Sequence, residues 1–178
     1  MQIGRRMKTM GKLSNLSPWD ETTYGNKVKT LRVLVECEKD STCKYEYDDA
    51  NDMMVVVRQL YKKYSYPYSY GSVPQTLAED GDSLDAIVVS DEPIRSGTVI
   101  NCLPLAIVRM IDNGEGDDKL ICTPFYVNHG EIDVHKIINY LSNYKYPYQD
   151  GTEIVSIGGV DAAINAIDIA HKRFLGEL

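Results

Sequence analysis

A chain of 178 residues with 43 % apolar side chains has material for one sizeable core, and nothing in its totals calls for disorder or a second domain. The formal net charge of -7 excludes nucleic-acid binding as the default, because counterion-release binding needs clustered Lys and Arg. No stretch approaches the roughly 18 continuous apolar residues of a membrane span and no secretory apolar region opens the chain, so we expect a soluble, cytoplasmic protein without a membrane partner.

Residues 1–19 carry Arg5, Arg6, Lys8 and Lys12 and no acid, whereas the rest of the chain holds 15 bases against 26 acids. We read residues 1–20 as a flexible or partly ordered arm, weakly reminiscent of a transit peptide, on a single domain spanning 1–178. From Leu31 onward, short runs rich in Val, Ile and Tyr predict strands: LRVLVECE, KYEYDD, MMVVVRQLY, LDAIVVS, GTVINCLPLAIVRMID and KLICTP. Turn formers separate them, among them Asp48 to Asn51, Pro67, Gly71, Pro74, Gly81 and Asn113-Gly114. This spacing predicts a mainly β (α+β) fold, a compact barrel or strongly curled sheet in place of alternating βαβ units.

Two amphipathic helices follow. In IDVHKIINYLSNYKY, the residues Val134, Ile137, Ile138, Leu141 and Tyr144 fall at helical spacing. In DAAINAIDIAHKRFLGEL, Asp161 is the expected cap, with Ile164, Ile167 and Phe174 on one face. A short strand, TEIVSI, joins them. The four cysteines, Cys37, Cys43, Cys102 and Cys122, show no C-x-x-C spacing and read as free buried thiols.

The chemistry concentrates in two acidic stretches. Asp80-Gly81-Asp82-Ser83-Leu84-Asp85 puts three carboxylates inside six residues, and such crowding raises each neighbour's pKa unless solvent or a cation relieves it. On an ideal strand Asp80 and Asp82 share a face and Asp85 does not, so convergence requires a turn from Gly81 to Leu84. An EF-hand loop is excluded, because with Asp80 first the sixth position is Asp85 instead of glycine. The second stretch is MIDNGEGDDKL, where Asn113-Gly114 signals a hairpin that brings Asp112 and Asp117 together at its mouth. Lys119 follows on the face of Asp117. Two such clusters suit hard divalent cations with substrate phosphate, and each taken alone is equally a solvated acidic turn.

Candidate anion-holding bases are Lys44, Arg58, Lys119 and Lys145, each read singly as a surface cation. Tyr66, Tyr70 and Tyr144 offer phenolic donors or plain core packing. Glu36 and Glu46 read as solvent-facing strand residues. Composition leaves these groups unassembled.

Together they resemble the family I soluble inorganic pyrophosphatases, whose signature is D-G-D-P-x-D. Upstream, KYEYD resembles the family's K-Y-E segment, VVVR matches its arginine-ended strand, and YPYSYGSVPQTLAEDGD resembles Y-P-x-N-Y-G-x-x-x-x-T-L. Downstream, PIRSGTVINCLPLAIVRMID resembles the P-x-x-x-G-x-V-I-x-x-x-P-x-G-x-x-x-M-x-D stretch, followed by a D-x-K and a Tyr-Lys pair. The resemblance runs from about Glu36 to Lys145. Ser69 and Ser83 replace asparagine and proline, Gln75 stands where histidine is common, and the segment between Pro124 and Tyr144 is shorter than in many bacterial members.

The resemblance implies a small OB-like closed β-barrel flanked by two helices and a homo-oligomer. It implies Mg2+-dependent hydrolysis of pyrophosphate, with several ions bound and Mn2+ or other divalent ions as possible substitutes. Asp80, Asp85, Asp112 and Asp117 would bind metal, and Asp82 would be the general base. Lys44, Arg58, Tyr70, Lys119, Tyr144 and Lys145 would hold phosphate, with Glu36, Glu46 and Tyr66 in support. The rival expectations are a related phosphohydrolase of nucleotides or polyphosphate, and an OB-like nucleic-acid-binding module whose tyrosines stack on bases.

Overall fold

The computed structural model describes residues 13–24, 26–127, 131–145 and 151–178. In chain order the strands are β1 (Trp19–Tyr24), β2 (Asn26–Cys37), β3 (Cys43–Asp48), β4 (Met53–Gln59), β5 (Ser69–Ser72), β6 (Asp85–Val88), β7 (Val99–Asp112), β8 (Glu115–Gly116), β9 (Lys119–Pro124) and β10 (Thr152–Gly158). Helix α1 (Val134–Asn143) precedes β10 and α2 (Val160–Leu175) follows it.

Strands β2, β5, β6, β9 and β7 are neighbours in that order, and the β2–β7 pairing closes them into a ring. The β6–β9 pair is parallel, whereas the ring's other pairings are antiparallel. Strand β1 folds back on β2, β10 extends the sheet beyond β7, and β3 with β4 forms a separate ribbon. A mainly β barrel with two helices is therefore the architecture, as the strand spacing predicted.

The ring strands are apolar on both faces because both are covered. Ala86 and Val88 of β6, with Leu31, Val33 and Val35 of β2, pack into a core sealed by α2. The opposite parity, Ile87 of β6 with Ile121 of β9, enters a second core roofed by Ile137, Tyr140 and Leu141 of α1. Close approach decides one glycine: a Cβ at Gly71 would stand 1.9 Å from the Leu34 carbonyl oxygen, so the β5–β2 contact admits no side chain there.

Several expectations need correction. The cap of α2 is Gly159, and Asp161 lies in the first helical turn, where its charge favours the helix dipole. Its packed face is Ala163, Ala166, Ile167 and Ala170, while Phe174 is exposed; small side chains let the helix lie close on the sheet. On α1 the buried residues are Ile137, Tyr140 and Leu141, and Val134 is exposed. Asp133 caps α1, accepting a hydrogen bond from the Lys136 amide at 2.9 Å. Strands β1 and β5 were not foreseen. Of the N-terminal arm, residues 1–12 lie outside the described residues, and the Trp19 indole donates to Asp168 of α2 at 2.8 Å. The cysteines are free, with Cys43 only partly buried.

Candidate active site

The residues singled out from the sequence all line one cleft of about 820 Å³. Its first wall is the β3–β4 ribbon. Lys44 and Arg58 are register partners across it, beside a register shift between Lys44 and Tyr45. Lys44 donates to Glu46, its same-face neighbour two residues on, at 2.5 Å.

A second wall is the turn before β6. Gly81 has φ +90°, and the Asp82 amide donates to Asp80 Oδ1 at 3.0 Å, the Asx closure expected of a short acidic turn. Asp82 is exposed. Partial burial, then the Asp80 and Asp85 carboxylates, raise its pKa above the ordinary aspartate value.

The third wall joins β6 to β9. Asp85 and Lys119 are partners on these parallel strands, so their side chains share a face. The Lys119 ammonium, its side chain 1 % exposed, donates to Asp85 Oδ2 at 2.5 Å and also to Asp117. Burial alone would lower the Lys119 pKa, but Asp85, Tyr144 and Asp117 outweigh it and the net shift is upward. Asp117 is pushed up by burial, opposed by Lys119. The hairpin turn is present, with positive φ at Asn113 and Gly114, and Lys145 bridges its two ends by bonding Asp112 and lying 3.9 Å from Asp117.

Glu36 departs from expectation. It is 7 % exposed, not solvent-facing, because the β2–β5 register slips between Val35 and Cys37 and leaves Glu36 as the bulged residue, re-aimed into the cleft. Ser72 donates to it at 2.7 Å. Burial lifts its pKa to about 7 against that hydrogen bond, with Asp85 adding to the rise.

Tyr66, Tyr70 and Tyr144 form the floor, with Tyr140 packed behind them. Tyr70 donates to Asp85 at 2.6 Å, and burial followed by the Asp85 charge raises its pKa well above the ordinary value. Tyr66 packs between Tyr70 and Tyr140, and Tyr140 stacks on Tyr144. Sequence reasoning missed Ser72 and Thr152, which bond Glu36 and Asp112. Neither was findable: Ser72 lies on β5, whose sequence SYGS reads as a turn, and Thr152 arrives through the β10–β7 pairing.

Among the described residues no three acidic, His or Cys groups already converge as a metal cage. The reason is electrostatic: lysines are interleaved with the carboxylates they neutralise. The donor set nevertheless fits a hard cation, since the carboxylates of Asp80, Asp82, Asp85, Asp112 and Asp117 offer only oxygen donors around one cleft.

The family model described as inorganic pyrophosphatase matches residues 33–175. The chain is 33 % identical over 158 residues to an inorganic pyrophosphatase of Synechocystis sp., covering 83 % of this chain and 94 % of the relative. It is 36 % identical to an inorganic pyrophosphatase of Streptomyces coelicolor over 80 % of this chain and 94 % of the relative. The inorganic pyrophosphatase structure from Thermus thermophilus superposes with TM-score 0.81 at 25 % identity, covering 93 % of this chain and all of that one. With the cleft's ordered acids and bases, these likenesses establish that the chain belongs to the inorganic pyrophosphatase family, metal-dependent enzymes that hydrolyse pyrophosphate.

Proposed function

We propose that Asp82 is the general base of this hydrolysis and that Mg2+ is held by Asp80, Asp85, Asp112 and Asp117, with Glu36, Glu46 and Tyr66 in support. The observation that supports this most is the meeting of five aspartates with Lys44, Arg58, Lys119 and Lys145 in one cleft. When bound, divalent ions supply charge neutralisation and lower the pKa of water.

The chain's own residues do the rest. Asp82 is exposed, touches no lysine by salt bridge among the described residues, and has a raised proton affinity, so it can accept the proton of the attacking water. The water oxygen bonds to one phosphorus as the bridging P–O bond breaks, giving two orthophosphates. Little covalent work falls to side chains in such a transfer, so positioning and charge stabilisation dominate. Lys44 and Arg58 face the substrate from the ribbon. Lys119 and Lys145 neutralise carboxylates and turn their remaining donors to phosphate, while Tyr70 and Tyr144 add phenolic contacts.

Phosphate release from pyrophosphate with Mg2+ tests the reading. EDTA should abolish release and added Mg2+ restore it, with Mn2+ as a poorer substitute; full activity in EDTA sinks the metal assignment. ATP and tripolyphosphate, assayed alongside, should turn over far more slowly.

The acidic balance supports a chain without a nucleic-acid partner. Among the described residues no helix is long and apolar enough to cross a membrane. The exposed Val155, Ile157 and Val160 around β10 support a homo-oligomer. Sedimentation at several protein concentrations checks that assembly, and a single monomeric species refutes it.

A further inference from the structure

Among the described residues, three buried side-chain nitrogen or oxygen atoms lack a protein hydrogen-bond partner: Arg58 Nε, Tyr66 Oη and Tyr140 Oη. Arg58 and Tyr66 line the same cleft, and Tyr140 packs against Tyr66 from behind it. The Tyr66 and Tyr140 rings lie 5.5 Å apart, their hydroxyls near each other but outside hydrogen-bond geometry. The Arg58 guanidinium is close enough to Tyr140 to favour its phenolate electrostatically.

Tyr140 is 6 % exposed and Tyr66 1 %, so bulk water does not satisfy either hydroxyl. Buried polar groups left unpaired are rare, because each forfeits its solvation with nothing in return. Packing gives no reason for the Tyr140 oxygen. Its ring stacks on Tyr144 at 5.1 Å and 27°, and phenylalanine would fill that place without a hydroxyl to desolvate. Tyr140 is not a lining residue of the cleft, whereas Arg58, Tyr66 and Tyr144 are, so its hydroxyl can reach the chemistry only through a neighbour.

We propose that Tyr140 is a positioning residue for Arg58. Its hydroxyl oxygen receives the Arg58 Nε–H across one buried water shared with Tyr66, and leaves the terminal guanidinium N–H groups for pyrophosphate. The assignment rests on the reading of Arg58 as a phosphate-holding group. It matches the donor inventory: a guanidinium has five N–H donors, and a phenol accepts one bond while passing its own proton to a second acceptor, here Tyr66 Oη. A guanidinium tethered at Nε presents a fixed fork, the geometry that two-point phosphate recognition needs. An untethered one loses rotamer freedom each time it binds.

A double-mutant cycle tests this. Tyr140→Phe keeps the ring and deletes one oxygen; Arg58→Lys keeps the charge and deletes the Nε–H. The wild type, both single variants and the double variant are assayed for kcat and KM with pyrophosphate and Mg2+, together with thermal midpoints. We expect Tyr140→Phe to lose about tenfold in kcat/KM, mainly through KM, with no fall in midpoint, and to have no further effect in the Arg58→Lys background. Where turnover is too low, inorganic phosphate binding by calorimetry supplies the same cycle. Equal losses in both backgrounds mean a merely structural role and overturn the proposal, as does an unaffected Tyr140→Phe beside a damaged Arg58→Lys. An Arg58→Lys variant that behaves as wild type overturns the phosphate-holding reading of Arg58 itself.

Discussion

The cleft holds two acidic walls that relieve charge crowding in different ways. On the β6–β9 side, Asp85, Asp112 and Asp117 are largely enclosed, and each touches the ammonium of Lys119 or Lys145. On the turn side, Asp80 and Asp82 stand at an open edge, held by one Asx bond. Enclosure makes a partner obligatory, since an unpaired buried carboxylate is costly; exposure lets solvent do that work and leaves the group free to exchange protons. A base must be of the second kind, and a fixed charge lattice of the first.

The largest effect expected from breaking this contrast is at Asp82. Asp82→Asn preserves shape in an exposed turn and deletes the proposed proton acceptor. Turnover should fall about 10²- to 10⁴-fold, the usual contribution of a positioned acid or base. The thermal midpoint should barely move. A variant that keeps more than a tenth of wild-type turnover removes Asp82 from the base role.

The enclosed wall should respond in the opposite sense, through stability. Lys119→Met leaves Asp85 and Asp117 without their shared cation, at a cost of about 3–5 kcal/mol for a broken buried pair. At about 2–4 °C per kcal/mol for a chain of this size, the midpoint should drop by roughly 10 °C. An unchanged midpoint by calorimetry would show that this lysine is not needed to neutralise the wall.

Glu36 lies between the two cases, enclosed like the first wall but bonded by Ser72 instead of a lysine. Its carboxyl pKa is raised to about 7, so folding favours the protonated form. The stability it contributes is fully present below the ordinary value of 4.5 and is lost as pH rises through about 7. At 1.36 kcal/mol per tenfold step, the loss is on the order of 3 kcal/mol. Denaturant titrations in EDTA should show wild type losing this much between pH 4.5 and 7 relative to Glu36→Gln, which keeps an acceptor for Ser72 and cannot ionise. Parallel curves would mean that Glu36 stays solvated.

What was legible in the sequence follows the same division. The Asp80–Asp85 turn and the Asn113-Gly114 hairpin were readable because a positive-φ glycine and an Asx bond act within a few residues. The helices were readable from periodicity, although only packing revealed that α2 docks on alanines. The Asp85–Lys119 partnership was hidden, since it depends on a parallel pairing of strands 34 residues apart. Glu36 was misread because period-2 reasoning assumes a regular ladder, and the bulge at this residue breaks it. Strand β5 was hidden by its sequence, SYGS, which reads as a turn; Gly71 is there because the neighbouring strand leaves no room for a Cβ.

The smallest expected effect sharpens the contrast from the turn side. Ser83 is exposed, has no positive φ, and occupies the place that proline takes in the D-G-D-P-x-D pattern. Ser83→Pro should restrict the unfolded chain and stabilise by about 0.4–1 kcal/mol. That corresponds to roughly 1–4 °C in the thermal midpoint. Turnover should stay within about twofold of wild type, because Asp82 is set by Gly81 and by its amide bond to Asp80, both upstream of the substitution. A stabilised variant with sharply reduced kcat would show that the open turn must move during turnover, and that its looseness relative to the lysine-held wall serves the chemistry.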